Sequence, residues 1–284
     1  MKKKTIMLAF FMIFLVGSFS LFAYDAEADN WKVLPECIWS PAYGGGTWVT
    51  EVQITSMNTT AATVNVYFYY GGGLHRGSFV LTTALANRHS VKFSNILATI
   101  DALDAGVFTY YGRVGAVWFW TTAGTIHVTA KTVNGNYGKT FPGLNVVAAN
   151  TAAVDRQMLI PLLVNSSTYR TFVGFFNTSA SATYTANIYV INSTWGYVGS
   201  MITKTFVPNE FMAFNPFVEA GIGSGTYDNY YLYILPTAGG SDYRGIMCFG
   251  AISNNNSNDP AALIAYPWTI EAPAPLTTQA DPQN

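Results

Sequence analysis

The stretch TVNVYFYYGGG (63–73) alternates small apolar and polar residues and then ends on three glycines, and its first half returns later in the chain as TANIYVIN (185–192). Side chains alternate between the two faces of a β-strand, so each stretch is predicted to be a strand with one apolar face. The residues predicted to point inward are Val64, Val66 and Phe68 in the first stretch and Ala186, Ile188 and Val190 in the second.

Several other segments recur in the same order as these two strands. The matched pairs are TWVTEV (47–52) with TYRTFV (168–173), NTTAA (58–62) with NTSAS (177–181), ANRHSVKFSNI (86–96) with PNEFMAFNPF (208–217), TTAG (121–124) with PTAG (236–239), and AKTVNGN (130–136) with AISNNN (251–256). Self-similarity of this kind is typical of a duplicated structural unit.

The repeat predicts an all-β protein made of two tandem antiparallel β-sandwich domains of the immunoglobulin type. The first is expected over residues 31–147 and the second over residues 156–270. Short strands separated by Gly, Asn, Ser and Pro clusters, about seven to a copy, are the pattern of such sandwiches. No helical period of useful length is found.

The order T-x-x-T-x-(V/F), N-T-(S/T)-A, T-x-N-(V/I)-Y resembles an uncharacterised tandem β-sandwich repeat, immunoglobulin- or fibronectin-like, of bacterial secreted proteins. The resemblance covers nearly the whole chain after its leader. It implies a fold and a compartment, and it brings no catalytic residues to transfer.

The first residues predict export. MKKKTIMLAFFMIFLVGSFSLFA (1–23) has three lysines, a short apolar run and then small residues, which is the pattern of a secretory signal peptide. We expect a signal peptide and short leader over residues 1–28, cleaved after Ala23 or Ala28, with no membrane span in the mature form. The destination is then the periplasm, the cell surface or the medium, by the general secretory route. Residues 271–284, polar and rich in proline, are predicted to be a disordered tail.

Composition limits the classes of partner. Hydrophobic residues make up 50% of the chain, aromatic residues 15% and charged residues only 10%, with a formal net charge of −1. No basic run follows the leader, so the electrostatic pattern needed for nucleic-acid binding is absent. A weakly charged surface repels other copies poorly, which favours self-association.

The two cysteines leave two interpretations open. In an oxidising compartment Cys37 and Cys248 form a candidate disulfide between the start and the end of the mature chain. The other interpretation is a pair of buried thiols that act as small apolar side chains.

The residue types that carry out catalysis are sparse. His75, His89 and His127 all belong to the first copy and lack metal-ligand spacing, so no zinc site is predicted. No G-x-S-x-G sequence is present. Asp101 and Asp104 could share one side of a helical turn, but a polar crossover between strands is the strongly favoured interpretation. An Asn- and Asp-rich loop (254–259) has oxygen ligands for calcium, although turns favour these residues for conformational reasons alone. We predict no catalytic residue, metal or cofactor.

Aromatic residues are the most unusual resource of the chain. Tyr69 and Tyr70 precede the glycine turn and Trp195 lies at the matching turn of the second copy, so these three are the candidates for stacking against a ligand. Trp118 and Trp120 flank Phe119, and at least one face of that strand is expected in the core. Five N-x-(S/T) sequences are attributed to composition and not to glycosylation; they begin at Asn58, Asn165, Asn177, Asn192 and Asn255.

These observations predict an exported, non-enzymatic protein that serves as an adhesion, binding or spacer module with a protein or glycan ligand. A self-assembling subunit of a filament or surface layer is the alternative. A carbohydrate-binding protein or a polysaccharide hydrolase is a less favoured hypothesis than these two.

Overall fold

The computed structural model describes residues 29–42, 45–146, 151–154, 156–240, 244–256 and 260–268. The predicted signal peptide and leader (1–28) and the predicted tail (271–284) lie outside the described residues, and so do residues 257–259 of the candidate calcium loop. No helix in the described ranges is both long enough and apolar enough to cross a membrane.

The N-terminal half (29–146) consists of eight strands and one helix. In chain order they are β1 (Trp31–Pro41), β2 (Thr47–Ser56), β3 (Ala62–Tyr70), β4 (Leu74–Leu85), β5 (Ser90–Phe93), α1 (Ile96–Leu103), β6 (Arg113–Thr121), β7 (Ile126–Asn134) and β8 (Tyr137–Pro142). The eight strands pair antiparallel in one sheet of order β4-β3-β6-β1-β2-β7-β8, with β5 alongside β2.

The C-terminal half (151–268) contains the remaining strands and a second helix. They are β9 (Gln157–Asn165), β10 (Tyr169–Asn177), β11 (Tyr184–Ile191), β12 (Tyr197–Phe206), β13 (Phe211–Phe214), α2 (Pro216–Glu219), β14 (Tyr227–Ala238), β15 (Ile246–Asn254), β16 (Pro260–Ile264) and β17 (Tyr266–Trp268). They form a five-stranded sheet, β12-β11-β14-β9-β17, and a four-stranded sheet, β13-β10-β15-β16.

Strand pairing follows the same order in both halves. The series β4-β3-β6-β1 in the first half corresponds to β12-β11-β14-β9 in the second, and β5-β2-β7-β8 corresponds to β13-β10-β15-β16. The halves differ at β1, whose end also pairs with β2 through Trp39, Ser40 and Pro41. This pairing joins the two strand groups of the first half into one sheet, whereas the second half has two sheets. They differ again at β17, which pairs with β9.

The predicted inward faces of the strands are confirmed. Val64, Val66 and Phe68 are buried in the core of the first half. Ala186, Ile188 and Val190 are buried in the core of the second half. The all-β, antiparallel character of the protein is therefore confirmed as well.

The sequence shows no helical period of useful length, yet two short helices occur at equivalent places after β5 and β13. Asn95 caps α1 by accepting a hydrogen bond from the N–H of Ala98 at 3.1 Å. Asn215 caps α2 in the same way, and Pro216 occupies its first turn. The apolar residues Ile96, Leu97 and Ile100 are buried. A helix this short has too few turns to show a period in the sequence, and it is held by its cap and by tertiary packing.

The match between AKTVNGN and AISNNN was wrong by one residue. Val52 pairs with Ala130, whereas its counterpart Val173 pairs with Gly250. A shift of one residue turns each side chain to the opposite face of the sheet. Ala130 therefore lies in the core of the first half, while Ala251 lies on the outer face of its strand.

The two halves contact each other through a third apolar cluster, called here the inter-half cluster. The first half contributes the outer face of β1, β3 and β6, including Val33, Tyr69 and Ala116. The second half contributes the outer face of β10, β13 and β15. Its buried members are Phe176, Phe211, Met247 and Phe249.

Differences between the two halves explain why this face of the second half is covered. The register places Glu51, Gln53 and Thr55 where the second half has Phe172, Gly174 and Phe176. On the neighbouring strands, His127, Thr129 and Lys131 correspond to Met247, Phe249 and Ala251, and Ser90 corresponds to Phe211. One face is suited to water and the other to burial, so the amino-acid differences between the halves determine which face packs against the other half.

Candidate functional site

The three predicted stacking aromatics do not lie together. Tyr69 is only 8% exposed and belongs to the inter-half cluster, with its ring 5.1 Å from that of Phe176. Burial raises the pKa of Tyr69 to about 12. Tyr70 is half-buried against the first core, stacked on Phe68 at 5.7 Å and tilted against Phe108 at 4.6 Å. The prediction that Tyr69 and Tyr70 are exposed was wrong, because the second half covers one ring and the segment after α1 covers the other.

Trp195 is 44% exposed and lies in the turn between β11 and β12. Its ring stacks on that of Tyr231 with centroids 5.5 Å apart and an interplanar angle of 12°. The turn is built by Asn192, whose side-chain oxygen accepts from the N–H of Thr194 at 3.0 Å and the N–H of Gly196 at 2.8 Å. Trp195 itself has a φ of 66°. Of the three candidates, Trp195 is the one that the structure presents to solvent.

Four tyrosines extend from Trp195 across the outer face of β11, β12 and β14. We call Tyr189, Trp195, Tyr197, Tyr231 and Tyr233 the tyrosine face. Tyr189 lies 4.9 Å from Tyr197 and 6.1 Å from Tyr233 between ring centroids. Tyr197 is 47% exposed, whereas Tyr233 is buried in one apolar cluster with Leu159 and Ile191. The result is an aromatic cluster that reaches the surface at Trp195 and Tyr197.

The tyrosine face is the counterpart of the surface that the second half covers on the first half. The register matches Tyr67 with Tyr189, Tyr69 with Ile191, and Trp118 with Tyr233. Tyr67, Tyr69 and Trp118 contact the second half in the inter-half cluster. At these three matched positions the second half is as buried as the first, with Ile191 3% and Tyr233 7% exposed, and the exposed residues of the tyrosine face are Trp195 and Tyr197.

A cleft between the halves, called here the inter-half cleft, is the second candidate site. Its volume is about 260 Å³. The first half supplies Ile38, Trp48 and Val114 to its wall, and the second half supplies Phe172, Ala213 and Phe249. Its charged residues are Arg170, Glu36 and Lys139. Nothing in the sequence of one copy alone indicates this cleft. The sequence difference that would have indicated it is the position of Glu51 in the first half, which Phe172 occupies in the second half.

The Asp101 and Asp104 pair does not form an acid–base site. Asp104 ends α1 and is buried, and the Arg76 guanidinium donates to both of its oxygens at 2.8 and 2.6 Å. The Tyr110 hydroxyl donates to it at 2.9 Å. These hydrogen bonds, that from Arg76 above all, hold the pKa of Asp104 below its ordinary value. Asp101 is half-buried on α1. The cluster is an ion pair that fixes the end of the helix to β4.

The histidines and cysteines occupy separate places. His89 is exposed, His75 lies 5.4 Å from the ring of Tyr69, and His127 has its pKa lowered by burial and then by the charge of Lys32. No group of three or more metal-ligating residues occurs within the described ranges. Cys37 and Cys248 are free and buried.

The candidate disulfide was therefore wrong. Cys37 lies in the core of the first half and Cys248 in that of the second, so each thiol is surrounded by its own apolar cluster. Burial raises the pKa of both thiols, which makes them poor nucleophiles.

The repeated NT(S/T) sequences are loop-building motifs, a role that sequence reasoning missed. Asn58 donates to the carbonyl of Ala123 at 2.8 Å. Its counterpart Asn177 is fully buried, and its two side-chain N–H bonds are shared among the carbonyls of Ala182, Phe206 and Val207 at 2.8, 3.0 and 2.9 Å. A buried asparagine with several partners fixes the positions of neighbouring loops.

No family model matches the chain, and no curated protein matches it. A solved structure of the infectious bursal disease virus Gx strain has 11% identity and a TM-score of 0.20, over 85% of this chain and 63% of that chain. Beta-glucuronidase 2 of Bacteroides uniformis, covalently bound to cyclophellitol-6-carboxylate aziridine, has 11% identity and a TM-score of 0.17, over 87% of this chain and 33% of that chain.

The chain therefore spans less than two thirds of the length of either structure. Structural similarity at these TM-scores supports no conclusion about the fold or the function of this chain. The class of protein that the fold defines is an all-β protein of antiparallel sheets.

Proposed function

We propose that this chain is an exported, non-enzymatic binding module built of two tandem immunoglobulin-like β-sandwiches, and that the tyrosine face is its ligand-binding surface. The signal-like leader supports export, and the equal order of strand pairing in the two halves supports the tandem arrangement. The observation that carries the proposal is that Trp195 and Tyr197 are exposed at the edge of this face, with Trp195 stacked on Tyr231.

The ligand that best fits this face is a neutral glycan. Stacked rings such as Trp195 and Tyr231 offer a flat apolar surface to the C–H face of a sugar ring. Polar groups lie next to them, since Thr203 donates to the Asn187 side chain at 3.0 Å on the same sheet face. The five aromatic side chains that form this face carry no cationic group to pair with an anionic ligand, which favours a neutral one.

The proposal of a non-enzymatic role has its own support. The buried carboxylate Asp104 is held in an ion pair, the thiols are buried, and the histidines lie apart. Asp104 and the two cysteines therefore have structural explanations in helix termination and core packing.

The test is a pull-down of the mature chain with insoluble neutral polysaccharides, followed by titration with the soluble oligosaccharide of any that binds. Trp195→Ala and Tyr197→Ala should each weaken binding about tenfold or more, because the loss of one stacking ring removes most of a contact worth about 1–3 kcal/mol. Tyr137→Ala is the matched control, since Tyr137 is a similarly exposed tyrosine in the other half. Equal loss in the control, or no binding to any glycan, would contradict the proposal.

A second candidate function is a self-assembling subunit, and the structure offers one specific argument for it. The counterpart of the tyrosine face is covered by a β-sheet of the same chain, so this kind of face is able to pack against a sheet. Light scattering coupled to size-exclusion chromatography separates the two functions. Concentration-dependent oligomers that Tyr197→Ala dissolves favour assembly, and a monomer at every concentration excludes it.

A further inference from the structure

The inter-half cleft continues the inter-half cluster along the same sheet faces, and Phe249 belongs to both. Phe172 and Phe176 lie on the same side of β10, because side chains alternate along a strand. Phe176 is fully buried against the first half, whereas Phe172 is 43% exposed and lines the cleft. Val114 lines the cleft from the first half and is 37% exposed. The two halves therefore exclude water at Phe176 and leave apolar side chains open to it at Phe172.

The volume of the cleft suits one small molecule. It is about 260 Å³, just below the roughly 300–1,000 Å³ usual for small-molecule sites. An apolar cavity of about 150 Å³ in another protein accommodates benzene. On that scale the cleft has room for a molecule of about two fused rings.

The wall of the cleft is mainly apolar and partly aromatic. Ile38 and Trp48 come from the first half, and Phe172, Ala213 and Phe249 come from the second half. Aromatic side chains offer a large apolar area and favour stacked or edge contacts with other rings. Both halves have to be in place for this wall to form, so the site is a property of the whole chain.

The charged residues of the lining are Glu36, Lys139 and Arg170, and each has a partner within the protein. Lys139 and Glu36 form an ion pair in which both side chains are largely buried. Arg170 donates to the amide oxygen of Asn255 at 2.6 Å and takes part in a further interaction within the chain. A charged ligand would lose water here without meeting a free counter-ion in the described lining. The lining therefore favours a neutral ligand over a charged one.

We propose that the inter-half cleft binds neutral aromatic molecules of about two fused rings, held between Trp48 of the first half and Phe172 of the second. Removal of the exposed Phe172 and Val114 side chains from water provides the driving force. This site is separate from the tyrosine face, so it is independent of the glycan proposal.

The test is calorimetric titration of the mature chain with 2-naphthol, 2-naphthoate and 2-naphthylmethylammonium near neutral pH. 2-Naphthol should bind saturably, with one molecule to each chain. Its affinity should be about tenfold higher than that of either ion, because each ion has to give up hydration that the lining does not replace. Equal or tighter binding of either ion, or no saturable binding of 2-naphthol, overturns the proposal.

The aromatic wall is tested by Phe172→Ala, which should weaken the binding of 2-naphthol about tenfold or more, because one ring of the wall is lost. Tyr169→Ala is the matched control. Tyr169 is a similarly exposed aromatic residue of the same strand and lies outside the lining of the cleft. Equal affinity of the two variants would contradict binding against Phe172.

A second variant fills the cleft and leaves its aromatic wall in place. Ala213 is exposed on β13 and lines the cleft, so Ala213→Trp occupies the space of the ligand. The affinity for 2-naphthol should fall about tenfold or more, as expected when the site is filled. Ala180→Trp, at an exposed loop position outside the lining, is the matched control and should bind as the parent does.

Unchanged binding by a folded Ala213→Trp protein overturns the assignment to this cleft. A parent oligomer that Ala213→Trp converts to a monomer in light scattering also overturns the proposal, because a second copy of the chain would then occupy the cleft.

Discussion

Two buried asparagines show how differently one residue type affects the fold. Asn177 is fully buried and its amide is fully used, since its oxygen also accepts from the N–H of Ser179 at 2.9 Å. Asn65 is 6% exposed, and its amide nitrogen has no hydrogen-bond partner within the described part of the chain. A buried donor without a partner costs free energy, whereas a satisfied one stabilises its surroundings.

We expect Asn177→Ala to lower the free energy of unfolding by about 3 kcal/mol, because three carbonyls lose their donor at once. Asn65→Val should leave the free energy of unfolding unchanged or raise it by up to about 1 kcal/mol, since it removes an unpartnered amide. Urea denaturation of both variants measures the contrast. Similar losses in the two variants would contradict this account of the amides.

The pKa of Asp104 predicts how stability changes with pH. The pKa is lowered in the folded protein, chiefly by hydrogen bonds from Arg76. The pair therefore adds stability above the unfolded pKa of about 3.9, and that contribution is lost as the pH falls through the lower folded value. We expect the difference in unfolding free energy between the parent and Asp104→Asn to be constant near neutrality and to shrink below about pH 4. A difference independent of pH from 2 to 7 would exclude this role.

At the level of elements, one glycine shows how β10 accommodates its partner. Gly174 corresponds to Gln53 of the first half, and a Cβ at Gly174 would lie 1.9 Å from the ring of Phe249. The missing side chain leaves room for Phe249 to lie against the strand within the inter-half cluster. Small and large residues in neighbouring strands thus complement each other across the sheet.

Gly174→Ala should lower the free energy of unfolding by about 1–3 kcal/mol, because the Phe249 ring has to leave its position. Gly223→Ala is the matched control, since a Cβ there would meet nothing within 4 Å and should leave stability nearly unchanged. Chemical denaturation compares them. A neutral Gly174→Ala would show that the ring moves without cost, contrary to the packing described.

For the whole molecule, the strength of the inter-half cluster determines whether the two halves unfold in one transition or in two. Phe176 is fully buried in it, with its ring 5.1 Å from Tyr69 and 6.2 Å from Trp118. Removal of a buried aromatic ring leaves a cavity in the contact.

Phe176→Ala should lower the free energy of unfolding by about 3–5 kcal/mol. It should also broaden or divide the thermal unfolding transition, because each half keeps its own core while the contact between them weakens. Differential scanning calorimetry measures the shape of the transition. Phe172→Ala, on the same strand but exposed, should keep the parent's transition shape. An undivided, narrow transition in Phe176→Ala would show that the halves are coupled by other contacts.

The sequence predicted the strands well and the surfaces poorly. The inward residues of β3 and β11 follow from alternation alone, because a strand with a period of two has one face for the core. Helix α1 was not predicted, because eight residues are too few to show a clear helical period. The cap at Asn95 stabilises a helix of this length only together with tertiary packing. Tyr69 and Trp195 looked equivalent as aromatics near turns, yet one is covered and the other is open.

What the sequence determined by itself is the all-β class, the repeated strand pattern and the inward faces, because these depend on spacing along a single strand. Tertiary structure alone decided that Cys37 and Cys248 belong to different cores, that Tyr69 is covered by Phe176, and that the tyrosine face and the inter-half cleft exist. The physical reason is that outer faces are specified by what packs on them. That depends on residues more than a hundred positions away, such as Phe176 beside Tyr69, brought together only when both halves have folded.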